Sequence, residues 1–353
     1  MADFGGSHPP RVAGARGLRE FAFDGQVASQ AEAVAAALAS TDPPTLDPAK
    51  PLVFTGIGTS WHACRVASYW VTELSRGRVT ARAVEAHELA LQGPLARGDQ
   101  VVVVSHRGNK RFPLAVLARA RELGALTVVV TGQGNPDIDA DHVMRTCPDE
   151  RASTHTASYL TALAVLGELV GRMLGASAAE FLDRLHHIPD PIAATLALPA
   201  PVQVAARLAG RSPLVVTGFG IDAITAAEAA LKLKEGAYVF AEGLSEEFAL
   251  HGTPAAFDAE MAGILISPGG DDAGRFTELA ELLATLGLEV VTCGPPRLHE
   301  LAFADVPYLL RPLVTIIPLQ RLVGELARIR GSNPDTTRSD QEPWASAIGR
   351  IRL

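Results

Sequence analysis

Short runs of apolar, largely β-branched residues punctuate the chain, and each is closed by small polar residues. Leu52-Val53-Phe54 runs into Thr55-Gly56-Ile57-Gly58, Val101 to Val104 ends in Ser105, and Thr127 to Val130 runs into Thr131-Gly132. A continuous apolar run of this length fits a strand buried on both faces of a parallel sheet. Amphipathic stretches such as Phe112 to Leu123 and Asp272 to Leu286 lie between such runs. Strands therefore alternate with helices, the pattern of a doubly wound α/β sheet. Further helices are predicted over Gln26 to Leu38, from Thr156 onward, and over Pro312 to Arg330.

The runs recur. Pro51-Leu52-Val53-Phe54-Thr55-Gly56-Ile57-Gly58 returns as Pro213-Leu214-Val215-Val216-Thr217-Gly218-Phe219-Gly220, at an offset of 162. The same 162 separates Ser105 from Ser267, which closes Gly263 to Ile266, and Gly132 from Gly294, which closes Glu289 to Val291. Three matched strand ends predict two copies of one parallel-sheet domain. Their junction falls at Ile188-Pro189-Asp190-Pro191 with Pro199 and Pro201, where proline rings remove donors and stiffen the chain. The expected organisation is an N-terminal arm and helix over residues 1–48, a first domain over 49–195, a second over 196–331 and an irregular tail over 332–353.

Composition narrows the function classes. With 353 residues, 48% hydrophobic and 20% charged, the chain is an ordinary globular protein and neither disordered nor fibrous. A net charge of −8 argues against nucleic acid or an anionic membrane as partner and favours a small ligand. The longest apolar stretch, Ser158 to Val170, is interrupted by Glu168 and reads as a buried helix, not a bilayer span. Met1 to Gly17 lacks the apolar segment of a secretory signal and reads as a frayed arm. Cys64, Cys147 and Cys293 are widely spaced and odd in number, which predicts neither a zinc site nor a disulfide framework and makes the cytoplasm the expected location.

In open α/β sheets ligands sit beyond the carboxyl ends of the strands, against loop amides and helix N-termini. The first copy places Thr59 and Ser60, then Ser105, His106, Arg107 and Lys110, and then Ala152, Ser153 and Thr154 at such ends. These are candidate holders of a phosphate, although each hydroxyl taken alone could equally cap a helix. Gly56-Ile57-Gly58-Thr59-Ser60-Trp61 lacks the third glycine of a dinucleotide fingerprint and no Walker lysine follows, so a phosphorylated small molecule is expected in place of a nucleotide. On the helix after the second copy's first strand, Lys232 and Glu235 project from one face with Glu228 a turn earlier. A solvated ion-pair ladder would show the same spacing. Lys50, Lys110, Lys232 and Lys234 are the only lysines, arginine filling every other basic position, which hints at a need for a compact ammonium. His251 lies in a turn-forming run, and His62, His106 and His155 fall near the cradle as lining residues.

Taken together, these motifs resemble the sugar isomerase (SIS) double-domain family, in particular the isomerase half of glucosamine-6-phosphate synthase and its stand-alone isomerase and deaminase relatives. The likeness covers about residues 20–338 and is most specific in Ala230-Leu231-Lys232-Leu233-Lys234-Glu235, Ala241-Glu242 and His251-Gly252. It implies that Glu235 moves a proton between C1 and C2 of a sugar, that Lys232 supports the open-chain form, and that His251 assists ring opening in the site of a neighbouring subunit. It also implies that Thr59, Ser60, Ser105 and the Ala152-Ser153-Thr154 turn hold phosphate and sugar, and that the protein is a homodimer with shared sites needing neither metal nor organic cofactor. Three positions depart from the family. Its Ser-Gln-Ser-Gly-x-Thr loop reads Ser105-His106-Arg107-Gly108-Asn109-Lys110, its His-Gly-Pro turn has Thr253 in place of proline, and no lysine follows Lys234 to form the synthase's imine. No glutaminase segment precedes Pro51, so glutamine hydrolysis is not expected. The expected activity is aldose–ketose isomerisation of a phosphorylated hexose or hexosamine, extending to deamination of glucosamine 6-phosphate. The alternatives are a non-catalytic sugar-phosphate-binding regulator and an ammonia-dependent fructose-6-phosphate aminotransferase.

Overall fold

Each matched run becomes an inner strand of one of two sheets. The computed structural model describes residues 19–135 and 138–351; the arm read over Met1 to Gly17 lies outside them. The first sheet contains β1 (Leu52–Gly56), β2 (Ala81–Glu85), β3 (Gln100–Val104), β4 (Leu126–Thr131) and β5 (His142–Arg145) in the order β2-β1-β3-β4-β5. The second contains β6 (Leu214–Gly218), β7 (Ala241–Ser245), β8 (Ala262–Ile266), β9 (Glu289–Gly294) and β10 (Leu301–Ala302) in the order β10-β9-β8-β6-β7. Every pairing is parallel, and counted from its own first strand each sheet has the same order.

The repeat is present in the hydrogen-bond register. Leu52 pairs with Gln100 and Leu214 with Ala262, both partners 162 apart. The third match slips by one. Ser105 N–H donates to Val130 O, whereas Ser267 N–H donates to Cys293 O, so the counterpart of Val130 lies 163 residues on and Gly294 is not the equivalent of Gly132. The edge strands β2 and β7, which pair through Ala81 and Ala241, are 160 apart.

Before and around the first sheet lie α1 (Ala22–Ala28), α2 (Gln30–Ser40), α3 (Thr59–Ser75), α4 (Ala86–Leu91), α5 (Arg111–Leu123), α6 (Ala157–Leu174), α7 (Ala179–His186) and α8 (Pro189–Leu196). With the second go α9 (Val202–Leu208), α10 (Ile221–Gly236), α11 (Glu246–Leu250), α12 (Arg275–Thr285), α13 (Pro312–Arg330) and α14 (Trp344–Ile348), and α9 packs on α13 and β9. The N-terminal helix predicted as one piece is broken at Ser29. The proline-rich junction is itself helical, because Pro189 and Pro191 occupy the first turn of α8, where no intrahelical donor is lost.

Strand alternation explains the runs. Val53, Val101, Val103 and Val129 face one side of the first sheet and form a core with α4 and α5. Leu52, Phe54, Val102, Val104, Val128 and Val130 face the other and join α3 and α6 in a core continuous with α10, α13 and the inner face of the second sheet. Both faces are covered, so these strands are largely apolar, with Thr55, Gln100 and Thr127 as buried polar exceptions. The apolar α6 lies buried against α2 and α3.

Candidate functional site

Gly58 and Gly220 precede the first helix after each leading strand with φ of 56° and 55°, a region open to glycine at little cost. The turn delivers Thr59 and Ser60 into the first turn of α3 in one copy, and Ile221 and Asp222 into that of α10 in the other. From there the copies diverge. In the second, Ile221 N–H donates to Tyr308 Oη at 2.9 Å, and that hydroxyl occupies the space a side chain on Gly220 would need. Arg311 fills in beside it, bonding Asp222 Oδ2 at 2.7 Å and the carbonyl of Ser267, the counterpart of Ser105. The second cradle is therefore closed by the protein's own tyrosine and guanidinium.

The first remains open, on a cavity of ≈ 420 Å³ lined by Thr59, Ser60, Ser105, His106, Arg107, Lys110, Ser153, His155 and Glu235, among others. Burial and the neighbouring Arg107 lower the Lys110 pKa. Burial, with the adjacent His155 ring, pushes His106 down to about 4, so its imidazole is neutral near pH 7. Its Nε2 is buried with no hydrogen-bond partner among the described residues, Asp149 standing off at 3.6 Å.

Glu235 reaches this cavity from the other copy, at the end of α10, which packs on α3. Lys232 Nζ donates to Glu235 Oε2 at 2.6 Å and to Thr59 Oγ1 at 2.8 Å, and lies 3.4 Å from Glu228 Oε1. Thr59 Oγ1 donates onward to Glu228 Oε1 at 3.1 Å, and His62 Nδ1 to Glu228 Oε2 at 2.6 Å. The spacing read as a possible solvated ladder is a buried chain: side-chain exposure is 0% for Glu228, 1% for Lys232 and 31% for Glu235. Burial opposes the charge on Lys232, yet Glu228 and Glu235 more than offset it and hold the ammonium above its ordinary pKa. Burial likewise opposes the Glu228 charge, while Lys232, His62 and Thr59 hold its pKa below the ordinary carboxylate value. The result is a fixed ammonium that orients one partly open carboxylate toward the cavity.

Other expected residues sit elsewhere. Of the Ala152-Ser153-Thr154 turn, only Ser153 lines the cavity; Ala152 is buried with its N–H donated to Gln26, and buried Thr154 donates its N–H to the Pro334 carbonyl. The amides expected to meet an anion there are already bonded. His251 ends α11 in an exposed position and is not among the lining residues.

Several participants went unread in the sequence. Residues after α13 are stitched onto the site: Ser153 N–H donates to Asp335 O, Ser332 Oγ to Gly236 O, and the Asp335 carboxylate accepts from Ala22 and Phe23. Thr337 and Ile348 thereby join the lining, as does Tyr159 from α6. No periodicity marks the tail, since backbone bonds hold it.

His106, Glu150 and His155 bring potential metal-ligating atoms within 4.8 Å of one another. The carboxylate is committed otherwise. Glu150 accepts from Thr156 N, Ala157 N, Ser158 N, Thr156 Oγ1 and Gln26 Nε2, and so caps the start of α6. A metal would have to displace those donors. Burial works against the Glu150 charge, but His155, Ser158 and Thr156 outweigh it and bring the pKa from 4.5 to about 2. A depressed folded-state pKa stabilises above the unfolded value and loses that stability as pH falls through the folded one, a contribution on the order of 3 kcal/mol. Glu150→Gln is accordingly expected to lower stability at pH 7 and flatten the acid limb between about pH 4.5 and 2. Denaturant titrations at several pH values check this; parallel acid limbs for both proteins would contradict it.

The chain is similar to known proteins over most of its length. Residues 45–170 match the SIS domain family. Over 303 residues the chain is 28% identical to the glutamine–fructose-6-phosphate aminotransferase of Pyrococcus horikoshii, covering 82% of this chain and 50% of that protein. The chain thus spans about half the length of the curated relatives it matches. The C-terminal domain of the glucosamine-fructose-6-phosphate aminotransferase of Francisella tularensis superposes with a TM-score of 0.77 at 21% identity, covering 90% of this chain and 98% of that one. A glucosamine-6-phosphate deaminase of Thermotoga maritima gives 0.74 at 18% identity, covering 89% and 97%. At such identities these two likenesses speak for the fold.

Proposed function

Since the chain carries a SIS domain and is homologous to glutamine–fructose-6-phosphate aminotransferases, we propose that it is an aldose–ketose isomerase of a phosphorylated hexose or hexosamine, and that with an amino sugar the reaction proceeds to deamination. The observation that carries this reading is Glu235, a partly exposed carboxylate in the cavity wall, held at 2.6 Å by a buried ammonium. Isomerisation needs one base to take a proton beside a carbonyl and return it to the neighbouring carbon. Glu235 is that base. Lys232 orients it and supports the open-chain oxygen. Thr59, Ser60, Ser105, Ser153, Arg107 and Lys110 grip the anion, and such positioning can be worth about 7 kcal/mol or more. With a 2-amino sugar the product tautomer is a C2 imine, which water hydrolyses to ammonia and the ketose.

This reading takes the chain as two tandem SIS units over residues 49–195 and 196–331, preceded by residues 1–48 and followed by a tail over 332–353. It also takes it as a cytoplasmic homodimer in which His251 of a second copy completes ring opening; the exposure of His251 supports that role. Incubation with glucosamine 6-phosphate and with fructose 6-phosphate tests the activity. Ammonia or isomer is expected, and neither appearing while the sugar demonstrably binds would leave a non-catalytic binding protein. A second reading, amination of fructose 6-phosphate by free ammonia, is favoured by the matched relatives being aminotransferases; it predicts ammonia-dependent glucosamine 6-phosphate.

A further inference from the structure

Two histidines, His106 and His155, line the wall of the anion cradle, and the neighbours of each ring decide where its proton sits. His155 Nδ1 lies 3.1 Å from Glu150 Oε2 and 3.2 Å from Ser158 Oγ. The Glu150 carboxylate, ionised with its pKa at about 2, can only accept there. His155 therefore carries its hydrogen on Nδ1 and a lone pair on Nε2. The same assignment holds for His106. Thr146 Oγ1 donates to the Thr131 carbonyl at 3.2 Å, which leaves it to accept from His106 Nδ1 at 3.4 Å. His106 Nε2 is then a second lone pair, buried and without a hydrogen-bond partner among the described residues. A buried acceptor left in that state is costly, and a ligand that met it would recover the cost. The two rings pack edge to face with their centroids 5.3 Å apart. Asp149 Oδ1 stands 3.6 Å from His106 Nε2, on a side chain that is 65% exposed and free to turn. That gap is too long for a hydrogen bond. It is near the roughly 3.4 Å that separates two ligands of one tetrahedral zinc ion, each bound at about 2.1 Å.

We propose that His106 Nε2, His155 Nε2 and the Asp149 carboxylate form a site for a divalent metal ion of the zinc class, with a fourth coordination position open to the anion cradle. Two imidazoles and one carboxylate make up a known zinc ligand set, one that keeps a position for water or for a ligand. Glu150 gives up none of its donors in this arrangement. It accepts the His155 Nδ1 hydrogen and so fixes the ring from behind, as carboxylates do for many metal-bound histidines. Burial with the adjacent His155 ring keeps His106 neutral near pH 7, the form that binds metal without first losing a proton. Arg107 and Lys110 stand on the same wall and oppose a dication, while Asp149 and Glu150 offset them. An anion in the cradle adds to that offset and can place an oxygen in the open position. Metal and anion therefore favour each other, and to the same extent in both directions. The inference stands apart from the isomerase reading, since no proton transfer at a sugar enters it.

The test uses the full chain, freed of metal by a chelator that is then removed. Calorimetry with Zn²⁺ is expected to show one ion bound per chain at micromolar concentration or below, and Co²⁺ in its place to give the strong visible bands of a four-coordinate ion. His106→Gln, His155→Gln and Asp149→Asn are each expected to weaken Zn²⁺ binding at least tenfold. Asp149 is exposed, so its variant reads the site without disturbing the core. Inorganic phosphate is expected to shift the cobalt bands and to bind the cobalt-loaded protein at least fivefold more tightly than the metal-free one. Absence of Zn²⁺ binding at micromolar concentration would overturn the proposal. So would equal Zn²⁺ affinity in the unaltered protein and in the variant carrying both histidine substitutions, since the ion would then sit elsewhere. Phosphate bound with one affinity whether or not cobalt is present would overturn the open position and, with it, the proposed site.

Discussion

Glu235→Gln is expected to lower kcat for isomerisation or deamination by about 10²–10⁴-fold, the range associated with one positioned proton-transfer group. That corresponds to about 3–5 kcal/mol of transition-state stabilisation. The change is nearly isosteric and leaves an acceptor for Lys232 Nζ, now 2.6 Å from Glu235 Oε2. The cradle residues Ser105, Arg107 and Lys110 come from other elements, so affinity for sugar phosphate is expected to stay within a few-fold. Loss of kcat with binding kept separates a base from a residue that only shapes the pocket. Steady-state kinetics beside direct binding checks this; equal losses in both would remove Glu235 from the chemistry.

Lys232→Met is expected to be the most destabilising change at the site, by about 3–5 kcal/mol, because it leaves a buried carboxylate without its cation. Glu228 has no exposed side-chain surface and would retain only His62 at 2.6 Å and Thr59 at 3.1 Å. Adding Glu228→Gln removes the stranded charge, so the double variant is expected to recover part of the loss. Groups in one network couple in this way. Chemical denaturation of the four proteins of the cycle measures it. Additive losses, or a single-variant loss below about 1 kcal/mol, would mean that water reaches the pair.

Why this network was ambiguous in the sequence follows from its geometry. Glu228, Lys232 and Glu235 share one helical face whether that face is wet or covered, and their covering residues, Thr59 and His62, lie 166 to 173 positions upstream. Local spacing carries no record of such a partner. The inner strands were legible for the opposite reason: β1, β3, β6 and β8 are buried at every position and largely apolar, with Thr55, Gln100 and Thr217 the buried polar exceptions. The edge strands β2 and β5 are only partly buried and carry Arg82, Glu85, His142 and Arg145, which break the apolar signal. In β7, Gly243 stands where a side chain would strike the backbone of Ala227, so packing demanded the residue that weakens a strand pattern. Cradle residues at the ends of β1 and β3 could be found from strand ends alone. Thr337 and Ile348 could not, because the hydrogen bonds of the Ser153 and Thr154 amides that dock the tail involve backbone atoms, which every sequence supplies.

The claim that Glu235 carries a proton between adjacent sugar carbons is tested most directly by exchange with solvent. Fructose 6-phosphate and glucosamine 6-phosphate, incubated with the protein in deuterium oxide and read by NMR and mass spectrometry, are predicted to gain deuterium at C1 and C2 respectively, and Glu235→Gln to suppress it. Both sugars bound to the unaltered protein and still fully protonated at those carbons would contradict the account.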